Sequence, residues 1–236
     1  MSTPTGWRAD LVGIVTLLVA VNLSTGFVLD GWAAGAVQVG AAAVAVLVAR
    51  RRGYSRSALG LDPDVVPSGL RLGGIVSAVI VIGVSVVALL PFTRGFFDDD
   101  RFVDVEWIDV AVEVVVRIPV VTALGEELLF RSVLLGVLMA GMSRGRAVGV
   151  SSVLFGLWHV LTTMADLDGN EATVDFSGWE AALGVAGAVV VTGVAGVAFC
   201  WLRLRAGRLA APWLVHTVLN ASTYLAGAIL VSGGHL

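Results

Sequence analysis

The chain lacks lysine altogether: all 15 of its basic residues are arginine. It has a single cysteine, Cys200, which rules out an intrachain disulfide and a cysteine-rich zinc site. Charge of either sign is scarce, at 14% of residues. A soluble domain carries roughly 25%, so an ordinary soluble fold is excluded. The net charge of −3 is too near neutral to point to nucleic acid. Six prolines and no long polar run leave no room for a disordered tail or a separate soluble domain. What the chain has instead is 57% hydrophobic residues and 29 glycines, the composition of packed membrane helices.

Seven apolar stretches are long enough to cross a bilayer, which takes roughly 20 residues. They are 11–29, 32–49, 70–91, 120–141, 147–164, 181–202 and 212–231. The first is too long for the core of a signal peptide, and no A-x-A site follows it, so it is read as retained. Between the third and fourth, Glu106, Asp109, Glu113 and Arg117 recur at three- and four-residue spacing. Val103, Trp107, Val110, Val114 and Ile118 fall opposite them. A polar stripe facing an apolar one predicts a helix lying in the interface. Pro119 then starts the fourth span, a position where proline is tolerated. The expectation is a single all-α membrane bundle over 1–236. It has about seven transmembrane helices and one interfacial amphipathic helix; eight crossings is the alternative.

Charge orients this bundle. With Arg8 inside, the arginine-rich loops 50–56, 144–146 and 203–208 all fall inside, as the positive-inside rule requires. The acidic loops 94–106, with Asp98-Asp99-Asp100, and 166–180 fall outside. This holds only if 103–142 crosses once. The expected location is the plasma membrane, multi-pass, with the N-terminus cytoplasmic.

Gly125-Glu126-Glu127-Leu128-Leu129-Phe130-Arg131 stands out within this frame. A charge at the centre of a membrane helix costs at least ~2.5–3.5 kcal/mol, so these three charges need partners, water or a role. Glu127 and Arg131 are four apart with the acid first, the favourable order for a pair on one helix face. Glu126 lies about 100° round the helix and is left free. The alternative is a solvated turn holding two idle glutamates. Two further polar sites follow: Phe155-x-x-x-His159 and His216-x-x-x-Asn220, each on one helix face. Singly, each residue could do no more than hydrogen-bond a neighbouring helix. Counting 1.5 Å per residue puts Glu126 about 9 Å below the outer start of its span and His159 about 8 Å below the outer end of its own. Asn220 falls about 12 Å from the inner end of its helix, with His216 deeper toward the inside. The count therefore separates the last two from the first two.

The ordered set Glu-Glu-x-x-x-Arg, Phe-x-x-x-His and His-x-x-x-Asn resembles the CAAX prenyl protease and bacteriocin-processing (CPBP) family of intramembrane proteases. Phe130 and Pro212 also fit its motifs, and the resemblance covers roughly 105–232. It implies that Glu126 and His159 activate a water, and that His216 and Asn220 stabilise the oxyanion. Glu127, Arg131 and Phe155 would support them. Members are often called metalloproteases, so the resemblance also implies a candidate zinc set of Glu126, His159 and His216, which would leave one position open for water. No His-Glu-x-x-His helix is present, and the depth count favours the metal-free version. The implied partners are the lipid bilayer and a membrane-associated or prenylated protein or peptide. Two other functions remain open on the residues alone. Intramembrane Glu, Arg and His also build proton-coupled transporters, although no repeat of paired broken helices is visible. A non-catalytic membrane scaffold is the other.

Overall fold

The computed structural model describes residues 6–63, 66–97, 102–168 and 177–233, and the described chain is helical throughout, without strands. Helices α1 (Trp7–Phe27) and α2 (Gly31–Arg51) form an antiparallel pair. A single turn, α3 (Arg56–Leu59), follows; Ser55 caps it by accepting from the Ala58 amide at 3.0 Å. Next come α4 (Val66–Leu89) and a 3-10 turn, Pro91–Phe96. The long helix α5 is built from five consecutive stretches: Trp107–Val112, Glu113–Leu124, Gly125–Glu127, Leu128–Leu134 and Leu135–Gly141. Helices α6 (Arg144–Trp158) and α7 (Val160–Asp168) are separated only by His159. Finally, α8 (Gly178–Ala206) and α9 (Ala210–Gly233) close the bundle.

Among the described residues, six helices are long and apolar enough to cross a membrane: α1, α2, α4, the α6–α7 run, α8 and α9. They coincide with six of the seven expected spans. The remaining one, 120–141, lies in α5, where two π-helical stretches interrupt the regular α-turns. Helix α5 traverses the bundle once. Its end meets the start of α1, where Trp7 lies against Gly141. Its early part meets the start of α2, where the Arg117 guanidinium sits 5.6 Å from the centre of the Trp32 ring. The arginine-rich segments gather at one end, with Arg203 donating to the Ser57 and Ala58 carbonyls at 3.2 and 2.6 Å. The expected acidic loops fall partly on residues 98–101 and 169–176, outside the described residues.

Pro119 does not begin a new helix, as the sequence suggested. It sits inside the π stretch Glu113–Leu124, and the amphipathic segment runs straight on into the glutamates. In an α-turn the proline ring would strike the carbonyl four residues back; the wider π-turn relieves that clash. Side chains from other helices bond α5 carbonyls in this stretch. Trp213 Nε1 donates to the Pro119 carbonyl at 2.8 Å, and Gln38 Nε2 donates to that of Val121 at 3.2 Å. Such borrowed donors keep irregular backbone tolerable at membrane depth. Gly125 makes the approach of α2 feasible, since a Cβ there would lie 3.1 Å from Gln38 Nε2. Beyond it, Leu129, Phe130, Leu134, Leu135 and Leu138 are fully buried, so α5 is the axis around which the other helices pack.

Candidate active site

Glu126 and Glu127 sit between the two π stretches of α5, and both are buried. π-turns inside helices occur frequently at functional sites. The expected pair between Glu127 and Arg131 is present, with Nη1 3.1 Å from Oε1 and both side chains fully buried. Three phenyl rings enclose the guanidinium. Its carbon lies 3.8 Å from the centre of the Phe155 ring, 4.9 Å from that of Phe199 and 5.9 Å from that of Phe130. Cation–π attraction strengthens when the cation is desolvated, so the rings take over part of the role of water here.

Glu127 has a second partner that helical spacing could not reveal. His216 Nδ1 lies 3.0 Å from Glu127 Oε1. With Glu127 ionised, Nδ1 is the donor, and the ring turns Nε2 toward Glu126, 3.9 Å from its Oε2. The His159 Nε2 lies at the same 3.9 Å from that oxygen. His159 Nδ1 lies 2.8 Å from the Phe155 carbonyl, an acceptor only, so Nδ1 carries the proton and Nε2 presents its lone pair to the site. Phe155 packs edge-on to both imidazoles, and Phe199 stacks on His216 with ring centres 4.9 Å apart. The two histidines are thus held in place by a hydrogen bond on one side and aromatic rings on the other.

This geometry corrects the depth count, which set His216 several Å from Glu126. The turn before α9 is drawn into the bundle: the Leu209 amide donates to the Gly60 carbonyl, and Arg203 and Arg208 are buried. His216 Nε2 lies 3.9 Å from Glu126 Oε2, so the two side chains are level. Asn220 lies one turn further along, about 6 Å. It is half-buried, and its side chain makes no hydrogen bond to another described residue. The structure therefore brings Glu126, Glu127, Arg131, Phe155, His159 and His216 together and leaves Asn220 at the margin. His235 lies outside the described residues.

Two contributors were not foreseen. Trp158 Nε1 donates to Glu126 Oε1 at 3.2 Å, which fixes the carboxylate and aims Oε2 at the histidines. Asn22 of α1 donates to the Trp158 carbonyl at 2.9 Å, at the break between α6 and α7. A signal for Trp158 did exist. A buried indole N–H needs an acceptor, and acceptors at membrane depth are few.

Residues 109–222 match the family model described as "Type II CAAX prenyl endopeptidase Rce1-like". That stretch is similar to an Rce1-like domain. No curated protein and no solved structure matches it. The Rce1-like stretch includes every site residue named above except Asn22, which comes from α1. The matched family is one of CAAX endopeptidases, and the described helices include six of membrane-spanning length.

The zinc set implied by the resemblance does not fit this arrangement. Tetrahedral ligands at 2.0–2.2 Å from zinc lie roughly 3.3–3.6 Å from one another, and the carboxylate oxygen stands 3.9 Å from each imidazole. Among the described residues, no three His, Cys, Asp or Glu side chains converge closely enough to hold a metal ion.

Proposed function

We propose that the protein hydrolyses a peptide bond of a membrane-associated substrate, of the prenylated CAAX type named for its family, by a glutamate-activated water. One observation carries this reading. Glu126 Oε2 is buried, has no hydrogen-bond partner among the described residues, and lies equidistant from two imidazole nitrogens. A water within about 2.6–3.2 Å of both Glu126 Oε2 and His159 Nε2 is well placed for attack. Its oxygen adds to the scissile carbonyl carbon while its proton passes to Glu126. The tetrahedral oxyanion then collapses, the C–N bond breaks, and Glu126 returns the proton to the leaving amine. His216, protonated on both nitrogens, donates Nδ1–H to Glu127 and Nε2–H to the oxyanion. Glu127 thereby balances the imidazolium while also pairing with Arg131. Asn220 extends the donor set along α9 once the substrate is bound. The arginine-rich end of the bundle is the cytoplasmic one, and the membrane is the plasma membrane.

The test is direct. Purified protein in proteoliposomes should release the C-terminal fragment of a farnesylated CAAX-type peptide. Absence of any product from prenylated and unprenylated membrane peptides alike would sink the proposal. Treatment with a strong chelator should leave the rate unchanged. Activity lost on chelation and restored by zinc would overturn the metal-free route.

Trp158 is a positioning residue in this scheme. Trp158→Phe keeps the ring and removes the N–H. A hydrogen bond to a charged group contributes about 1.5–3 kcal/mol, so kcat should fall about ten- to a hundredfold with KM little changed. An unchanged kcat would show that the indole bond does not orient Glu126.

A further inference from the structure

A cavity of about 290 Å³ lies between α1, α2 and the last part of α5, away from the candidate active site. Ile14 and Leu17 of α1, Val44 and Val48 of α2, and Val133 and Val137 of α5 form its apolar body. All three walls are helices that traverse the bundle, so hydrocarbon is the solvent on its open side. At one end the lining turns polar, with Asp10, Arg52 and Tyr54. Tyr54 is buried, and its hydroxyl donates to Asp10 Oδ2 at 3.0 Å. Burial and the Asp10 bond push that hydroxyl above the ordinary phenol range, so it remains a donor. Arg52 pairs with the other Asp10 oxygen at 3.5 Å while staying largely exposed. Arg8, Arg50 and Arg51 are exposed nearby on α1 and α2. Four arginines against one committed aspartate make this end strongly cationic.

We infer that this cavity is a binding site for an anionic phospholipid, one acyl chain lying between α1, α2 and α5 and the phosphate meeting the arginines at the polar end. An apolar slot alone would accept any chain. The choice of an anionic headgroup rests on charge. Arg52 offsets the charge of Asp10, so Arg8, Arg50 and Arg51 remain as the surplus cations at this end, and basic side chains at a membrane surface attract anionic lipid. The volume is close to the lower end of ligand pockets, roughly 300–1,000 Å³, which suits a segment of one chain rather than a whole lipid.

Gly13 gives a clean way to block the site. It lines the cavity, and a Cβ there would meet nothing within 4 Å. Gly13→Leu therefore has open space at its Cβ from which to extend into the cavity, and leucine is a better helix former than glycine. The experiment is native mass spectrometry of the full chain, loaded from mixed micelles of phosphatidylglycerol and phosphatidylcholine with matched chains. The wild type should retain phosphatidylglycerol at least about tenfold over phosphatidylcholine. Gly13→Leu should lose that adduct. Arg52→Gln should keep lipid binding but reduce the preference. Equal retention of the two lipids by the wild type would overturn the assignment, as would undiminished phosphatidylglycerol retention by Gly13→Leu. Thermal unfolding of each variant without added lipid confirms that a lost adduct reflects a blocked site rather than an unfolded chain.

Discussion

Glu126→Gln should yield a folded membrane protein that has lost about 10²–10⁴-fold of its proteolytic rate, the range expected for removing a general base. The amide is nearly isosteric with the carboxylate. Trp158 Nε1 can still donate to the side-chain carbonyl oxygen, as it does to Oε1. What is lost is the carboxylate oxygen between the two histidines, which is placed to take a proton from water. Helix packing should be spared, because Glu126 makes no ion pair with arginine. The measurement is the initial rate on a membrane-anchored peptide, alongside thermal unfolding in detergent. A variant that cleaves at the wild-type rate would remove Glu126 from the chemistry.

Arg131→Met should fail in the opposite way, by losing the fold. Arg131 and Glu127 are both fully buried, so removing the cation leaves the carboxylate with His216 as its one remaining partner among the described residues. Breaking a buried pair from one side costs about 3–5 kcal/mol, a large fraction of the total for a marginally stable protein. The loss extends to three phenyl rings packed on the guanidinium. The double change Arg131→Met with Glu127→Gln should recover part of that stability, since the buried carboxylate that had lost its guanidinium is gone as well. It should not recover activity, because Glu127 also holds His216. Thermal midpoints of the single and double variants decide this. A double variant no more stable than the single would show that packing, rather than charge, dominates.

Much of this architecture was legible in the sequence because its causes are local. Apolar run length reports a crossing helix, and arginine placement groups the ends; both patterns reappear in α1, α2, α4, α6–α7, α8 and α9. The Glu127–Arg131 pair follows from four-residue spacing on one helix. What escaped the sequence depends on how helices meet. The Trp158–Glu126 bond joins residues 32 apart, and the His216–Glu127 bond joins residues 89 apart. No periodicity encodes either. Proline rules suggested a helix start at Pro119, whereas Trp213 and Gln38 reach in from α9 and α2 and the helix continues. Counting residues from the ends of apolar runs misplaced His216, because the count assumes that every helix starts at the same level. The buried Arg203 and Arg208 show that α9 starts within the bundle.

The central claim is that Glu126 and His159 act on a single water. A double-variant cycle on kcat/KM tests it most directly, using Glu126→Gln, His159→Ala and the two combined in proteoliposomes. Residues that act as a unit show strongly non-additive losses. The double variant should therefore be within about threefold of the worse single variant. Losses that multiply, each substitution costing its full factor in the presence of the other, would contradict the shared water and assign the two side chains to separate steps.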